Sequence, residues 1–178
     1  VILFGNNVEG RKPYQIVNLG LTRTWQLVKP FFGMSVMEAM MIPSFCHRAS
    51  RKHISKKEVK SNVIKILEQM GLEDKTWEEV DRLNQGELRL LDIARAMVTY
   101  PKILLLDEPF SGLSHKEIRN ISEVVRKLNE QGLPVVIIEH RLRELMKLVK
   151  KVVVISFGQK IAEASPEKIV RDEKVIKA

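Results

Sequence analysis

The sequence predicts an α/β fold with a parallel sheet, and three observations predict it. Ile103-Leu104-Leu105-Leu106 is an aliphatic run set between Pro101 and Pro109, the pattern of a short strand buried on both faces. Val135-Val136-Ile137-Ile138 repeats the pattern, and the two runs start 32 residues apart, the span of a right-handed crossover unit. Between them Ile118, Ile121, Val125 and Leu128 mark one stripe of a helix over His115–Gln131, closed by Gly132. Ligands of open α/β sheets sit at the carboxyl ends of strands, so Asp107 and Glu108, which tip the first run, are the leading candidates for chemistry.

Taken in order, Val1-Ile2-Leu3-Phe4 begins as a strand already under way, with no initiator Met and no targeting signal, and an upstream portion of the domain is expected. Gly5-Asn6-Asn7 is a turn that favours positive φ. Gly5 and Gly10 have the spacing of a phosphate-cradling G-x-x-x-x-G-K-[ST] loop, but Arg11 and Lys12 stand where Lys and a hydroxyl residue are needed, and Pro13 follows. The stretch reads as a hairpin. Thr22-Arg23-Thr24-Trp25-Gln26 leaves a short strand. Ser35 and Glu38 have the spacing of a capping box and open a Met-rich helix up to Pro43; Met34, Met37, Met40 and Met41 read as core rather than as an exposed groove.

The basic run from Arg48 to Lys60 (Arg48, Arg51, Lys52, His53, Lys56, Lys57, Lys60) reads as a solvated loop and helix start rather than a nucleic-acid patch. Cys46, His47 and His53 do not have zinc spacing. Ser55 to Met70 is amphipathic, with Val59, Val63, Ile66, Leu67 and Met70 on one face and Gly71 closing it. Leu83-Asn84-Gln85-Gly86-Glu87 opens a helix over Glu87–Tyr100, in which Leu88, Leu91, Ala94, Arg95 and Val98 recur at helical spacing. After the second strand come a short helix (Arg141–Val149), a third apolar strand (Val152–Ile155), a turn at Gly158, the segment Lys160–Ala164, and a last helix capped by Ser165-Pro166-Glu167.

Composition narrows the class. With 178 residues, 44% hydrophobic and 29% charged, the chain is a globular domain with a real core, not a disordered one. Its apolar runs fall far short of the roughly 20 residues of a membrane span. The single Cys46 excludes an internal disulfide framework and suits a reducing compartment. The net charge of +8 comes from Lys and Arg interleaved with Glu, which reads as a solvated surface.

At this point the residues become specific. Ile103-Leu104-Leu105-Leu106-Asp107-Glu108-Pro109 resembles the Walker B segment of ATP-binding cassette (ABC) ATPases. Leu83-Asn84-Gln85-Gly86-Glu87 is similar to their signature loop, Ser111-Gly112-Leu113-Ser114 to the D-loop, His140 to the switch histidine and Gln26 to the Q-loop glutamine, all in the family's order. Within the family the likeness is strongest to cassettes of branched-chain amino acid importers, in Arg23-Thr24-Trp25-Gln26, in Phe32 to Glu38, in Ile138-Glu139-His140 and in Gly158 to Pro166 running on to Ala178.

The resemblance implies a partial P-loop NTPase core with a parallel sheet and an inserted α-helical subdomain. Residues 1–28 would end the N-terminal β part and carry the Q-loop, 29–100 would form the helical subdomain with the signature loop, and 101–178 the α/β core. It implies ATP as substrate and Mg²⁺ held by Asp107 and Gln26. Glu108 would polarise the attacking water, with His140 and Gln26 beside it in the catalytic set. Asn84, Gln85, Gly86, Glu87 and Ser111 would contact nucleotide, the signature loop reaching the γ-phosphate bound by a second cassette in a homo- or heterodimer. Membrane permease subunits are the other expected partners, placing the protein peripherally on the cytoplasmic face of the cell membrane; nucleic acid is not expected. Two rivals stand beside this: a soluble ABC ATPase acting on nucleic acid or ribosomes, and a truncated, non-catalytic cassette.

Three residues depart from the family pattern: Asn84 replaces Ser, Glu87 replaces Gln, and Ser114 replaces the D-loop Asp. The Walker A loop and the adenine-stacking aromatic are expected upstream of Val1. The accompanying expectations are that the 178 residues alone do not bind ATP tightly, and that a full-length parent hydrolyses ATP while this chain does not.

Overall fold

The structure, a computed structural model, describes residues 1–50 and 55–177. Arg51, Lys52 and His53 of the basic run, and Ala178, lie outside the described residues. Two compact units divide the chain, Val1–Ile138 and Glu139–Ala178.

The first unit opens with an antiparallel hairpin of β1 (Ile2–Leu3) and β2 (Asn6–Asn7). Phe4 (φ 47°) and Gly5 (φ 77°) both take positive φ at its turn, the arrangement that matches strand twist in a two-residue hairpin. The hairpin expectation holds, but the turn lies at Phe4–Gly5, and Asn6 and Asn7, expected in the turn, form the second strand; the phosphate-loop spacing at Gly5 and Gly10 is coincidental. Pro13 then starts a helix that sequence spacing did not reveal, α1 (Pro13–Leu19), with proline in the first turn where no N–H is missed. Gly20 ends α1 with φ 110°, and its carbonyl accepts the N–H groups of Lys102 (2.7 Å) and Ile103 (3.1 Å). A Cβ at Gly20 would stand 2.9 Å from Lys102 Cγ, so this close approach needs glycine twice over.

That contact fixes the register of a parallel sheet in the order β3-β4-β5: β3 (Leu21–Arg23), β4 (Ile103–Asp107) and β5 (Val135–Ile138). Leu21 stands opposite Ile103, and Asp107 opposite Ile138. The crossover from β4 to β5 runs through a helix over His115–Glu130, as the 32-residue interval required. Burial of the strands departs from expectation. In β4 only Leu104 and Leu106 are buried, and the alternate residues are half-exposed. In β5, expected to be fully buried, Val136 is 52% and Ile138 65% exposed. β5 is an edge strand of this sheet, and one of its faces is uncovered among the described residues.

Between β3 and β4 lie the helices α2 (Val36–Ser44), α3 (His47–Ser50), α4 (Lys56–Met70) and α5 (Gln85–Val98); α6 (His115–Glu130) follows β4. Four of these start with the same reciprocal device, a polar side chain accepting the N3 amide while the N3 glutamate accepts the cap amide: Ser35/Glu38, Ser55/Glu58, Asn84/Glu87 and Ser114/Glu117. Their core is Val36, Met40, Val63, Leu67 and Ile93, all solvent-inaccessible. The methionine run divides: Met37 and Met40 are core, Met41 is half-buried and Met34 is exposed. Arg48 is not a free cation, since its Nε donates to the Tyr100 carbonyl at 2.6 Å.

The second unit holds α7 (Leu142–Leu148), an antiparallel pair of β6 (Val152–Ser156) and β7 (Gln159–Ala164), and the short helices α8 (Pro166–Ile169) and α9 (Glu173–Lys177). Phe157 (φ 46°) and Gly158 (φ 77°) turn the β6–β7 hairpin. Glu163 on β7 is bridged by Lys151 and Lys160, whose hydrogen bonds hold its carboxyl down at about 2. No described helix is long and apolar enough to cross a membrane.

Candidate active site

The carboxyl end of β4 is held from its neighbours on both sides. Thr24, buried just past β3, donates its N–H to the Leu105 carbonyl (2.9 Å), and its Oγ1 accepts the Asp107 N–H at 3.4 Å. Glu108 donates its own N–H to the Ile138 carbonyl of β5 (2.9 Å), and its carbonyl accepts the Ser111 N–H (3.2 Å). Glu108 takes φ 45°, a left-handed conformation that side chains rarely adopt and that recurs where a functional group must be aimed off the end of a strand.

Two of the residues singled out from sequence meet there. Gln26 Nε2 donates to Glu108 Oε2 at 2.8 Å, across 82 residues of chain. Asp107 faces a cation instead: Arg23 Nη2 lies 3.6 Å from its Oδ2, and both side chains are substantially exposed. The Arg23 guanidinium also stacks 4.1 Å from the Trp25 ring, with Lys29 5.3 Å from the same ring.

The signature-like loop forms the start of α5. Asn84 Oδ1 accepts the Glu87 N–H (2.9 Å), and Glu87 Oε2 accepts the Asn84 N–H (2.8 Å). This explains two of the departures, because Asn and Glu at these positions complete a helix cap. Gly86 donates its N–H to Glu117 Oε1 of α6 (3.2 Å), and a Cβ at Gly86 would stand 2.8 Å from that carboxylate. Gln85 Oε1 would lie 3.2 Å from a Cβ on Gly112, so the loops around Gly86 and around Ser111–Ser114 are packed together. Ser114, the third departure, caps α6. The Ser114 hydroxyl, then its N–H, holds the Glu117 carboxyl below the usual range, and the Gly86 N–H adds to this.

His140 belongs to the second unit, two residues beyond β5. It is exposed, and its N–H donates to the Glu139 carboxylate at 2.9 Å. Sequence reasoning missed Arg89 and Asp92, charged yet 5% and 7% exposed on α5, whose side chains bond the main chain of Trp25 and Gln26. Burial pushes the Asp92 carboxyl up, against the Trp25 N–H and the nearby Arg95 and Arg89. Arg89, Asp92 and Arg95, three residues apart along one side of an otherwise apolar helix, were the signal that could have found them.

No described group of three or more His, Cys, Asp and Glu could ligate a metal unaided. Asp107 and Gln26 nevertheless fit Mg²⁺, which takes one or two protein oxygens and keeps water and phosphate for the rest. The part-exposed Asp107 carboxylate already attracts a cation, the Arg23 guanidinium.

Known proteins resemble this chain in sequence and fold. The sequence profile described as ABC transporter matches residues 16–111. A probable branched-chain amino acid transport ATP-binding protein LivG of Archaeoglobus fulgidus is 31% identical over 184 residues, covering 99% of this chain and 71% of the relative. The high-affinity branched-chain amino acid transport ATP-binding protein LivG of Escherichia coli K12 is 31% identical over 196 residues, covering 100% and 74%. BraF of Pseudomonas aeruginosa, with the same description, is 31% identical over 187 residues, covering 99% and 73%. Among solved structures, the ADP conformation of MJ1267, an ATP-binding cassette of an ABC transporter, superposes with a TM-score of 0.85 at 27% identity, over 98% of this chain and 74% of that one. The dimeric post-hydrolysis cassette MJ0796, bound to ADP and Pi, gives 0.78 at 19% identity over 93% and 72%, a likeness of fold.

Proposed function

From the premise that this chain belongs to the ABC transporter family as an ATP-binding, ATP-hydrolysing cassette, we propose that it energises the import of branched-chain amino acids. The observation that carries the chemistry is the 2.8 Å hydrogen bond from Gln26 to Glu108 at the carboxyl end of a parallel strand. The relatives' descriptions support the solute. The nucleic-acid and non-catalytic readings have no comparable support.

Phosphoryl transfer to water asks the protein mainly to place the water in line and to balance developing charge. Glu108, aimed off β4 by its left-handed backbone, is the carboxylate that orients and polarises that water. Gln26 fixes the Glu108 carboxylate by its amide N–H, and its amide oxygen would help hold Mg²⁺ with Asp107. Mg²⁺ held at Asp107 and Gln26 would supply charge neutralisation on the phosphate oxygens. His140 is assigned to the γ-phosphate by its likeness to the switch histidine alone. The start of α5 (Asn84, Gln85, Gly86, Glu87), with Ser111, would meet the γ-phosphate of a second cassette through the positive end of its helix dipole. The segment 29–100 is read as the helical subdomain that docks on permease subunits, which places the protein peripherally on the cytoplasmic face of the cell membrane.

The test is ATP turnover with Mg²⁺ by the full-length parent in vesicles carrying the permease subunits. Glu108→Gln keeps a hydrogen-bond acceptor for Gln26 but removes the charge, and is expected to lower kcat by about 100-fold or more with KM for ATP held. Leucine, isoleucine or valine should accelerate turnover in the wild type. Full activity of Glu108→Gln would remove Glu108 from the reaction, and stimulation by unrelated solutes alone would remove the branched-chain assignment.

A further inference from the structure

α5 carries two charged side chains inside the protein that the proposed reaction does not use, Arg89 and Asp92. Burying a guanidinium costs heavily unless its donors are matched, and here they are matched to main chain. Arg89 Nη1 donates to the Trp25 carbonyl at 2.6 Å and Nη2 to the Gln26 carbonyl at 2.9 Å. Asp92, one helical turn on, accepts the Trp25 N–H at 3.2 Å. Farther along, Arg95 donates to the Lys29 carbonyl at 3.1 Å and stacks 4.2 Å from the Phe31 ring. One side of α5 therefore grips the main chain at Trp25, Gln26 and Lys29.

The grip falls where it has a mechanical consequence. Gln26 and Trp25 are half-exposed or more in their side chains, so packing alone does not fix the segment. The Gln26 side chain nevertheless bonds Glu108. The fork of Arg89 orients two consecutive carbonyls at once, which a single donor could not do. The same helix begins five residues upstream of Arg89 with the cap at Asn84, so any shift of the α5 start is carried rigidly to the Trp25–Gln26 peptide.

We propose that Arg89, seconded by Asp92, is a positioning residue. It clamps the Trp25–Gln26 main chain to α5 so that the Gln26 amide is held on the Glu108 carboxylate, and it links the helix start that would meet a partner's phosphate to the carboxylate that orients water. The inference deepens the function proposed above and rests on its assignment of Glu108 and Gln26.

The experiment reads the Gln26 side chain directly. In the ¹⁵N-labelled protein the Gln26 side-chain NH₂ signal is assigned by its loss in Gln26→Ala, and its unbonded position is taken from Glu108→Ala. Arg89→Met and Arg89→Lys are each expected to move this signal towards the unbonded position while the amides of α6 stay in place; Arg89→Lys carries the test if Arg89→Met does not fold. Turnover adds a second readout: Arg89→Met should lower kcat for ATP by about 10- to 100-fold with KM held, and should cause no further loss in a Gln26→Ala background. A Gln26 NH₂ signal that stays in place in both Arg89 variants overturns the proposal. So does a kcat loss that adds in full to that of Gln26→Ala. Turnover is read in the full-length parent; its absence there would instead overturn the proposed function, and the NMR arm then decides the clamp alone.

Discussion

α5 and α6 start alike and are buried differently. Each opens with a polar cap and a glutamate three residues into the helix, Asn84/Glu87 and Ser114/Glu117. α6 then buries one stripe, Ile118, Ile121, Val125 and Leu128, and turns its charges to solvent. α5 packs against α2, α4 and α6 and buries nearly every face, Arg89 and Asp92 included. The difference teaches that an apolar stripe reports only the side of a helix that meets core. On α5 the other side meets the main chain of another segment, and main chain calls for charged, hydrogen-bonding partners rather than apolar ones.

The largest effect should not distinguish the two helices at all. Ile93→Ala on α5 and Ile121→Ala on α6, both solvent-inaccessible, should each cost about 2–5 kcal/mol in urea unfolding. A loss below that range on α5 alone would mean its core side is loosely packed and the contrast misplaced. The charged positions separate them. Asp92→Ala strips the acceptor from the buried Trp25 contact and should cost about 3 kcal/mol, whereas Glu123→Ala on the exposed face of α6 should stay within about 0.5 kcal/mol. Equal losses at the two sites would erase the distinction.

The shared caps come next. Asn84→Ala and Ser114→Ala should each cost about 1 kcal/mol, and a much larger loss at either would show that its cap does more than start a helix. The smallest effect is electrostatic. The Glu117 carboxyl lies below its ordinary value, so its stabilising contribution is complete above pH 4.5 and fades as pH falls through the lowered value. Titration of its ¹³C carboxyl signal should show that depressed midpoint, with Ser114→Ala restoring most of it and Gly86→Ala a smaller part. If Gly86→Ala leaves the Glu117 midpoint where it was, the link between the two helix starts is packing without a charge contribution.

How far the sequence could be read depends on what each residue contacts. The hairpin at Phe4–Gly5, the Ser35 cap, the α6 stripe and the parallel β4–β5 pair were legible because each is set by neighbours close in sequence or by a simple period. α1 was hidden because its short run, led by Lys12 and Pro13, shows no apolar stripe and buries no residue. The exposure of Val136 and Ile138 was hidden because an apolar strand looks the same whether its face is covered or bare. Of the site, Asp107 and Glu108 announced themselves as carboxylates at a strand end. The meeting of Gln26 with Glu108 spans 82 residues and could be inferred only by likeness to a family.

The sequence by itself determined the strands and helices that carry a clear period, the caps that begin those helices and the carboxylates at the end of β4, since these follow from local sterics, periodicity and the hydrogen-bonding habits of single side chains. Only the tertiary structure decided that Glu108 is aimed by a left-handed backbone, that Gln26 bonds it, and that Arg89 and Asp92 hold the Gln26 segment from inside. Such contacts join residues far apart along the chain, and their geometry exists only once packing has brought the two main-chain segments within a hydrogen bond's reach.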